Sequence, residues 1–346
     1  MKKFFSILLL LSAFMLPNNS EACTSVIVSG KARPDGRPVM FKHRDTKKLD
    51  NAIARFQGER YAFIGLVNAD WKEKVGKKGQ WPEVWAGMNE AGFCIMNTAT
   101  YDFNDDDVPA KKMDREGLLM YRALEICATV ADFEYFLDTL SQPRCVEANF
   151  GVIDAQGGAA YFETGNYKTF KYDVNEEAEH YRVVTNFTWH GRKEDRKGED
   201  RYEVTLSKMP EGAASLWGHD WLINNISRQG KPVLRDISSS VVVFEGVASG
   251  ENPSNCVMWA CVGFPTAAPI IPLKVWDEDL TPQWLQALPT SSICDKALEI
   301  KWQGAVPQCL EVEQFLDRRF RPDMSKCGYK RLMRRTFRRW QKAFQK

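Results

Sequence analysis

Alternating, β-branched positions at 24–29 predict a strand, a Pro-Asp-Gly turn interrupts the pattern within 30–38, and residues 39–41 open a second strand. The two-residue period returns at 63–67, 84–88 and 93–99, with Asn89, Glu90, Ala91 and Gly92 as the turn of a hairpin. Between 115 and 140 the period lengthens: Leu118, Leu119, Tyr121, Leu124 and Cys127 recur at three- and four-residue steps, and Val130-Ala131-Asp132 starts a second helix ending at Leu140. Strands resume at 148–153, 159–164, 169–172 and 180–187, broken by Gln156-Gly157-Gly158 and Gly165-Asn166. A helix opens at Asp200-Arg201-Tyr202 and another covers 217–226. Strands follow at 239–246, 256–265 and 270–276, and 280–292 reads as a surface connection. Strands, a helical pair, then strands again predict an α+β fold, a four-layer αββα sandwich with antiparallel sheets.

The two ends differ from this body. Residues 1–22 carry Lys2 and Lys3, an apolar run from 4 to 16 and a small-x-small site at Ser20-Glu21-Ala22, which together read as a secretory signal peptide too short for a stable span. The expected location is therefore periplasmic or extracellular. At the other end Tyr329, Met333, Phe337, Trp340 and Phe344 fall on one helical stripe with Arg and Lys between them. This basic amphipathic helix, 328–346, suits docking on the body or peripheral contact with an anionic membrane. The catalytic domain is expected at 23–327. The formal charge of +2 becomes +1 without the leader; the tail holds eight Lys or Arg and no acid, so the body sums to −7. That balance argues against nucleic-acid binding. A homo-oligomer is compatible with the chain.

Cleavage after Ala22 would leave Cys23 first, with a free α-amine beside its thiol. An amine with a pKa of roughly 7.7 to 8.0 can accept the thiol proton without a histidine. The turn at 30–38 would fold the chain back so that His43-Arg44-Asp45 lies near Cys23. Asp45 can then hold the ammonium, and a cation, Lys42 or Arg44, can favour thiolate. His43 reads as a packing residue. Eight further cysteines, at 94, 127, 145, 256, 261, 294, 309 and 327, permit disulfides without fixing a pairing; Cys94 and Cys127 sit in apolar surroundings and read as core. Four scattered histidines and no CxxC give a metal no support, Asp105 to Asp107 reads as a solvated acidic loop, and no cofactor is implied.

Cys23 at the expected mature terminus, the Asp35-Gly36 turn and Arg44-Asp45 resemble the start of the cysteine-type N-terminal nucleophile hydrolases, the choloylglycine hydrolase, penicillin V acylase and 6-aminopenicillanic acid acyltransferase relatives. Lys42 stands where many relatives have an arginine. The resemblance implies that Asn97, on the strand after an Asn-Glu-x-Gly turn, donates to an oxyanion; that Asn186, in a Thr-Asn pair at a strand end, does the same or positions substrate; and that Arg201, opening a helix, steadies the site or binds a substrate carboxylate. It implies a hydrolase of linear amides acting on a small N-acyl amide through a thioester on Cys23. An acyltransferase or a dipeptidase would use the same cysteine. A lipoprotein or binding protein lipidated at Cys23 is the non-catalytic alternative, against which Ser20-Glu21-Ala22 is a poor lipobox.

Overall fold

The computed structural model describes residues 21–72, 81–104, 106–278, 292–301 and 303–344. All but the last two residues of the expected leader, Asp105 of the acidic loop, and the 280–292 connection up to Ser292 fall outside the described residues. Two sheets form the centre. The first contains β1 (Ala22–Val28), β2 (Val39–Asp45), β10 (Tyr181–Val184), β11 (Ser238–Glu245), β12 (Val257–Val262) and β13 (Ile271–Leu273), in the order β10-β1-β2-β11-β12-β13. The second is a meander in chain order: β3 (Asn51–Gln57), β4 (Ala62–Asn68), β5 (Ala86–Asn89), β6 (Cys94–Ala99), β7 (Ala148–Ile153), β8 (Ala159–Thr164) and β9 (Thr169–Asp173). Every pairing is antiparallel.

The sheets pack face to face under their helices, so the inner strands are buried on both sides and read as near-continuous apolar runs, while the edge strands β9 and β10 stay partly exposed. Contact at the centre is close: a Cβ on Gly151 would strike Met96 and crowd Tyr161 and Ile27, and the Tyr161 hydroxyl donates to Ser25 Oγ at 3.0 Å. Helices α1 (Glu116–Ile126) and α2 (Val130–Thr139) cover the second sheet. A capping box between Thr129 and Asp132 starts α2, and Phe133 packs edge-on against Phe150 and Phe162 of the sheet. The first sheet is covered by α3 (Glu199–Lys208), α4 (His219–Leu222) with a π-turn after it, α5 (Ser292–Glu299), α6 (Val306–Asp317) and α7 (Lys326–Phe344). The result is the expected four-layer αββα sandwich.

Some local expectations shift. The 180–187 strand stops at Val184, because Asn186 leaves the ladder for a lone bridge to Lys197. The 217–226 helix divides into α4 and the π-turn Ile223–Ser227. The C-terminal helix docks on the body: Tyr329, Met333, Trp340 and Phe344 are buried, and the Tyr329 hydroxyl donates to the Pro272 carbonyl at 3.1 Å. Its apolar stripe is thus occupied by its own protein. Among the described residues no helix is long and apolar enough to cross a membrane.

Candidate active site

β1 and β2 are in register with Cys23 opposite Arg44 and Ser25 opposite Lys42. Directly opposed residues share a face, so Cys23, Ser25, Lys42 and Arg44 all point toward the second sheet. Ala22, Thr24, His43 and Asp45 point the other way. The register explains why a thiol and two cations meet inside the molecule while its carboxylate partner lies on the far side of the strand.

On the inner side Cys23, Lys42, Arg44 and Asn97 line a cavity of about 530 Å³ together with Asn68, Trp85, Tyr101, Asp114, Glu116 and Glu147. That volume is in the range of small-molecule sites. Lys42 is buried, and its Nζ donates to the Asn97 Oδ1 at 2.8 Å and to the Trp85 carbonyl at 2.6 Å. An ammonium can only donate, so it fixes the Asn97 amide with oxygen toward Lys42 and leaves Nδ2 as the free donor. Burial draws the Lys42 pKa down to about 8, against the pull of Cys23 and with the repulsion of Arg44 adding to the fall. Arg44 lies over the Trp85 ring at 5.0 Å and donates to Asn51 and Asn68; burial lowers it to about 10.

On the outer side the main chain of residue 23 is clamped. The Cys23 N–H donates to Asn186 Oδ1 at 2.9 Å, the same oxygen accepts from Arg201 at 2.6 Å, and the Asn186 Nδ2 donates to the Ala99 carbonyl at 2.6 Å. Both ends of that amide are therefore engaged. Arg201 also donates to the Cys23 carbonyl and, at 3.1 Å, to Thr24 Oγ1. It reaches them by folding back over the start of α3, where Gly198 has φ +79°; a side chain there would collide with the guanidinium. Burial lowers the Arg201 pKa, while Asp45 and Cys23 oppose that fall.

Asp45 ends β2. Its Oδ1 accepts from Ser238 Oγ at 2.7 Å and faces His43 Nε2 at 3.0 Å, whereas its buried Oδ2 accepts no hydrogen bond among the described residues and forms an ion pair with Arg235 at 3.7 Å. A buried carboxylate oxygen without a donor is rare. Ala22, whose carbonyl carbon is bonded to the Cys23 nitrogen, is its cross-strand neighbour. His43 is enclosed and held by Asp45 and Ser238, away from the cavity.

At the other end of the cavity, Glu116 accepts from the Glu147 N–H at 2.7 Å, and burial raises its pKa to about 7. Glu147 is also raised by burial. The cavity thus has a cationic end at Cys23 and a carboxyl wall in which Glu116 changes charge near neutrality. Tyr101 donates to the Glu21 carbonyl at 2.6 Å, and Thr46 donates to the Glu21 carboxylate at 2.7 Å, so the segment just before Cys23 is held at the cavity. Asn68, Trp85, Tyr101, Glu116 and Gly198 were not expected. Trp85 and Asn68 sit at strand margins as ordinary packing residues in sequence, and only the stacking of two sheets brings them to Cys23. Among the described residues no three His, Cys, Asp or Glu gather as a metal site.

Two antiparallel sheets thus pack together with Cys23, on an inner strand, facing the cavity between them. No family model matches the chain, and no curated protein matches it. Among solved structures it is similar to the N-acylethanolamine-hydrolyzing acid amidase ortholog of Caenorhabditis elegans, at 15% identity and a TM-score of 0.48 over 64% of this chain and 92% of that one. It is also similar to penicillin V acylase from Agrobacterium tumefaciens, at 14% identity and a TM-score of 0.45 over 75% and 89% of the two chains. A third similar structure is a mutant of the conjugated bile acid hydrolase from Clostridium perfringens, at 11% identity, a TM-score of 0.45, and 75% and 94% coverage.

Proposed function

We propose that the protein is an exported hydrolase of linear amides, in which removal of residues 1–22 frees the α-amine of Cys23 and turns its thiol into the nucleophile. The observation that carries this reading is the grip on residue 23. Its nitrogen is held by Asn186 on one side, an Asp45 oxygen that accepts no hydrogen bond among the described residues and pairs with Arg235 at 3.7 Å lies on the neighbouring strand, and its side chain borders a substrate-sized cavity. An amide nitrogen has a single proton and needs a single acceptor. An ammonium has three, and Asp45 supplies the acceptor that an internal peptide leaves unused.

The chemistry follows from these positions. The amine takes the thiol proton while Lys42, on the same face, favours the thiolate by charge. The thiolate attacks the substrate carbonyl, and the Asn97 Nδ2, aligned by Lys42, donates to the oxyanion, a contribution of roughly 3 to 4 kcal/mol in well-studied sites. The ammonium then gives its proton to the leaving nitrogen, and water releases the acyl group from the thioester. Asn186 and Arg201 act as positioning residues. A lipid on Cys23 fits poorly, because residue 23 is part of a central strand and is only 8% exposed.

The test is turnover. A panel of N-acyl amino acid, penicillin V-type, bile-salt-type and dipeptide amides is offered to the processed protein, and rapidly quenched samples are mapped for an acyl group on the Cys23 peptide. Turnover with a Cys23 adduct, both abolished in Cys23→Ala, is the expected result. Turnover that survives Cys23→Ala would overturn the assignment.

A further inference from the structure

Cys94 opens β6 in the second sheet, and Cys256 stands one residue before β12 in the first. Both are buried, and their sulfurs face each other 3.5 Å apart across the space between the sheets. The turns behind them hold that approach: a Cβ on Gly92 would lie 3.3 Å from the Pro253 side chain, so the β5–β6 hairpin rests on the turn Pro253–Asn255 that leads to Cys256. Lys274, also buried, places its Nζ 3.1 Å from the Cys256 carbonyl. The hydrogen bond from Cys94 and the charge of Lys274 both favour thiolate at Cys256, while burial holds Cys94 as the thiol. One nucleophilic sulfur and one protonated partner are the two halves of a disulfide-forming pair.

We propose that Cys94 and Cys256 are a peroxide-oxidised disulfide site that ties the two sheets together. Burial of both cysteines excludes a bulky disulfide as the oxidant, and hydrogen peroxide, of water-like size, takes its place. The Cys256 thiolate attacks one peroxide oxygen, the O–O bond breaks, and a sulfenic acid forms as hydroxide leaves. The Cys94 sulfur then attacks the Cys256 sulfur; the S–O bond breaks, and the departing hydroxyl takes the Cys94 proton as water. Two thiols lose two electrons and one peroxide becomes two waters. Closing to the usual S–S length of about 2.05 Å needs a movement of about 1.5 Å, within reach of side-chain rotation. The bond would anchor β6 three residues before Asn97.

The experiment uses full-length protein carrying Cys23→Ser and Cys327→Ser, which removes the candidate nucleophile and the exposed thiol and leaves seven of the nine cysteines. Native protein is treated with hydrogen peroxide, then denatured, alkylated and peptide-mapped. The expected result is a loss of two mass units, a fall from seven alkylated thiols to five, and a linked peptide containing Cys94 and Cys256. Lys274→Met should slow this oxidation at least tenfold at pH 7. Seven thiols still alkylated, oxygen added to separate cysteines, or a different linked pair would overturn the proposal.

Discussion

At the scale of single residues, the site is a strand-register effect. One slip of β1 against β2 would set Cys23 opposite His43 or Asp45, and so on the other face from both cations. Asn97 depends on Lys42 for its orientation, so the two should act together. Asn97→Ala is expected to lower kcat about 10²- to 10³-fold with a much smaller change in KM, and adding Lys42→Met should cost far less than a second independent loss. Steady-state kinetics of the two single variants and the double variant checks this. Glu116 gives a pH prediction. With its pKa lifted to about 7 it is neutral below that value and anionic above, so KM for a cationic amide should fall as pH rises from 6 to 8. Glu116→Gln keeps the acceptor for the Glu147 N–H and should flatten that dependence. An unchanged slope in the variant would assign the titration elsewhere.

At the scale of elements, the His219 junction ties the first sheet to two of the helices that cover it. The ring stacks on Trp259 at 3.4 Å, pairs with Glu245 at 2.8 Å, and reaches Asp317 of α6 at 3.2 Å. Burial alone would lower its pKa, but the two carboxylates raise it to about 10, and Glu245 is held down to about 2. A raised histidine contributes its full stability below about 6.5 and loses it as pH climbs toward 10; a depressed carboxylate contributes above about 4.5 and loses it toward 2. The junction should therefore stabilise most between pH 4.5 and 6.5. His219→Gln is expected to cost about 3 kcal/mol there and much less at pH 10, measured by urea unfolding across pH. How legible the elements were follows the same physics. The 148–153 and 159–164 strands were visible to the residue, because Gln156-Gly157-Gly158 marks their turn and apolar residues fill most positions on either side of it. β3 was missed: Asn51–Gln57 holds two alanines and an arginine and has no turn signal of its own. It becomes a strand by pairing along its whole length with β4. In the site, the stretch holding Cys23 and Asp45 stands out from its own residues, whereas Arg201 enters only through the family resemblance. Trp85, Asn68 and Glu116 were not legible, since stacking of separate elements brings them in.

At the scale of the whole molecule, the basic C-terminal helix is part of the body. Tyr329, Met333, Trp340 and Phe344 bury their side chains while Arg331, Arg334, Arg335 and Arg338 stay exposed. Tyr329→Ala should destabilise the protein by about 3 to 5 kcal/mol, read as a lower urea midpoint. A loss under 1 kcal/mol would mean that the helix is dispensable to the core. The two-sheet architecture also places the Cys23 side chain between the sheets while Arg201 of α3 holds its main chain, so the proposed substrate contacts and amine positioning come from different layers.

The central claim is that residue 23 becomes the amino terminus and its thiol the nucleophile. The measurement that tests it most directly is the intact mass and amino-terminal sequence of the exported protein, before and after brief treatment of the native form with iodoacetamide. The account predicts a chain starting at Cys23, with that thiol alkylated well ahead of the buried cysteines and the rapid adduct absent in Cys23→Ser. A chain starting elsewhere, a blocked or lipidated terminus, or rapid alkylation unchanged in Cys23→Ser would contradict it.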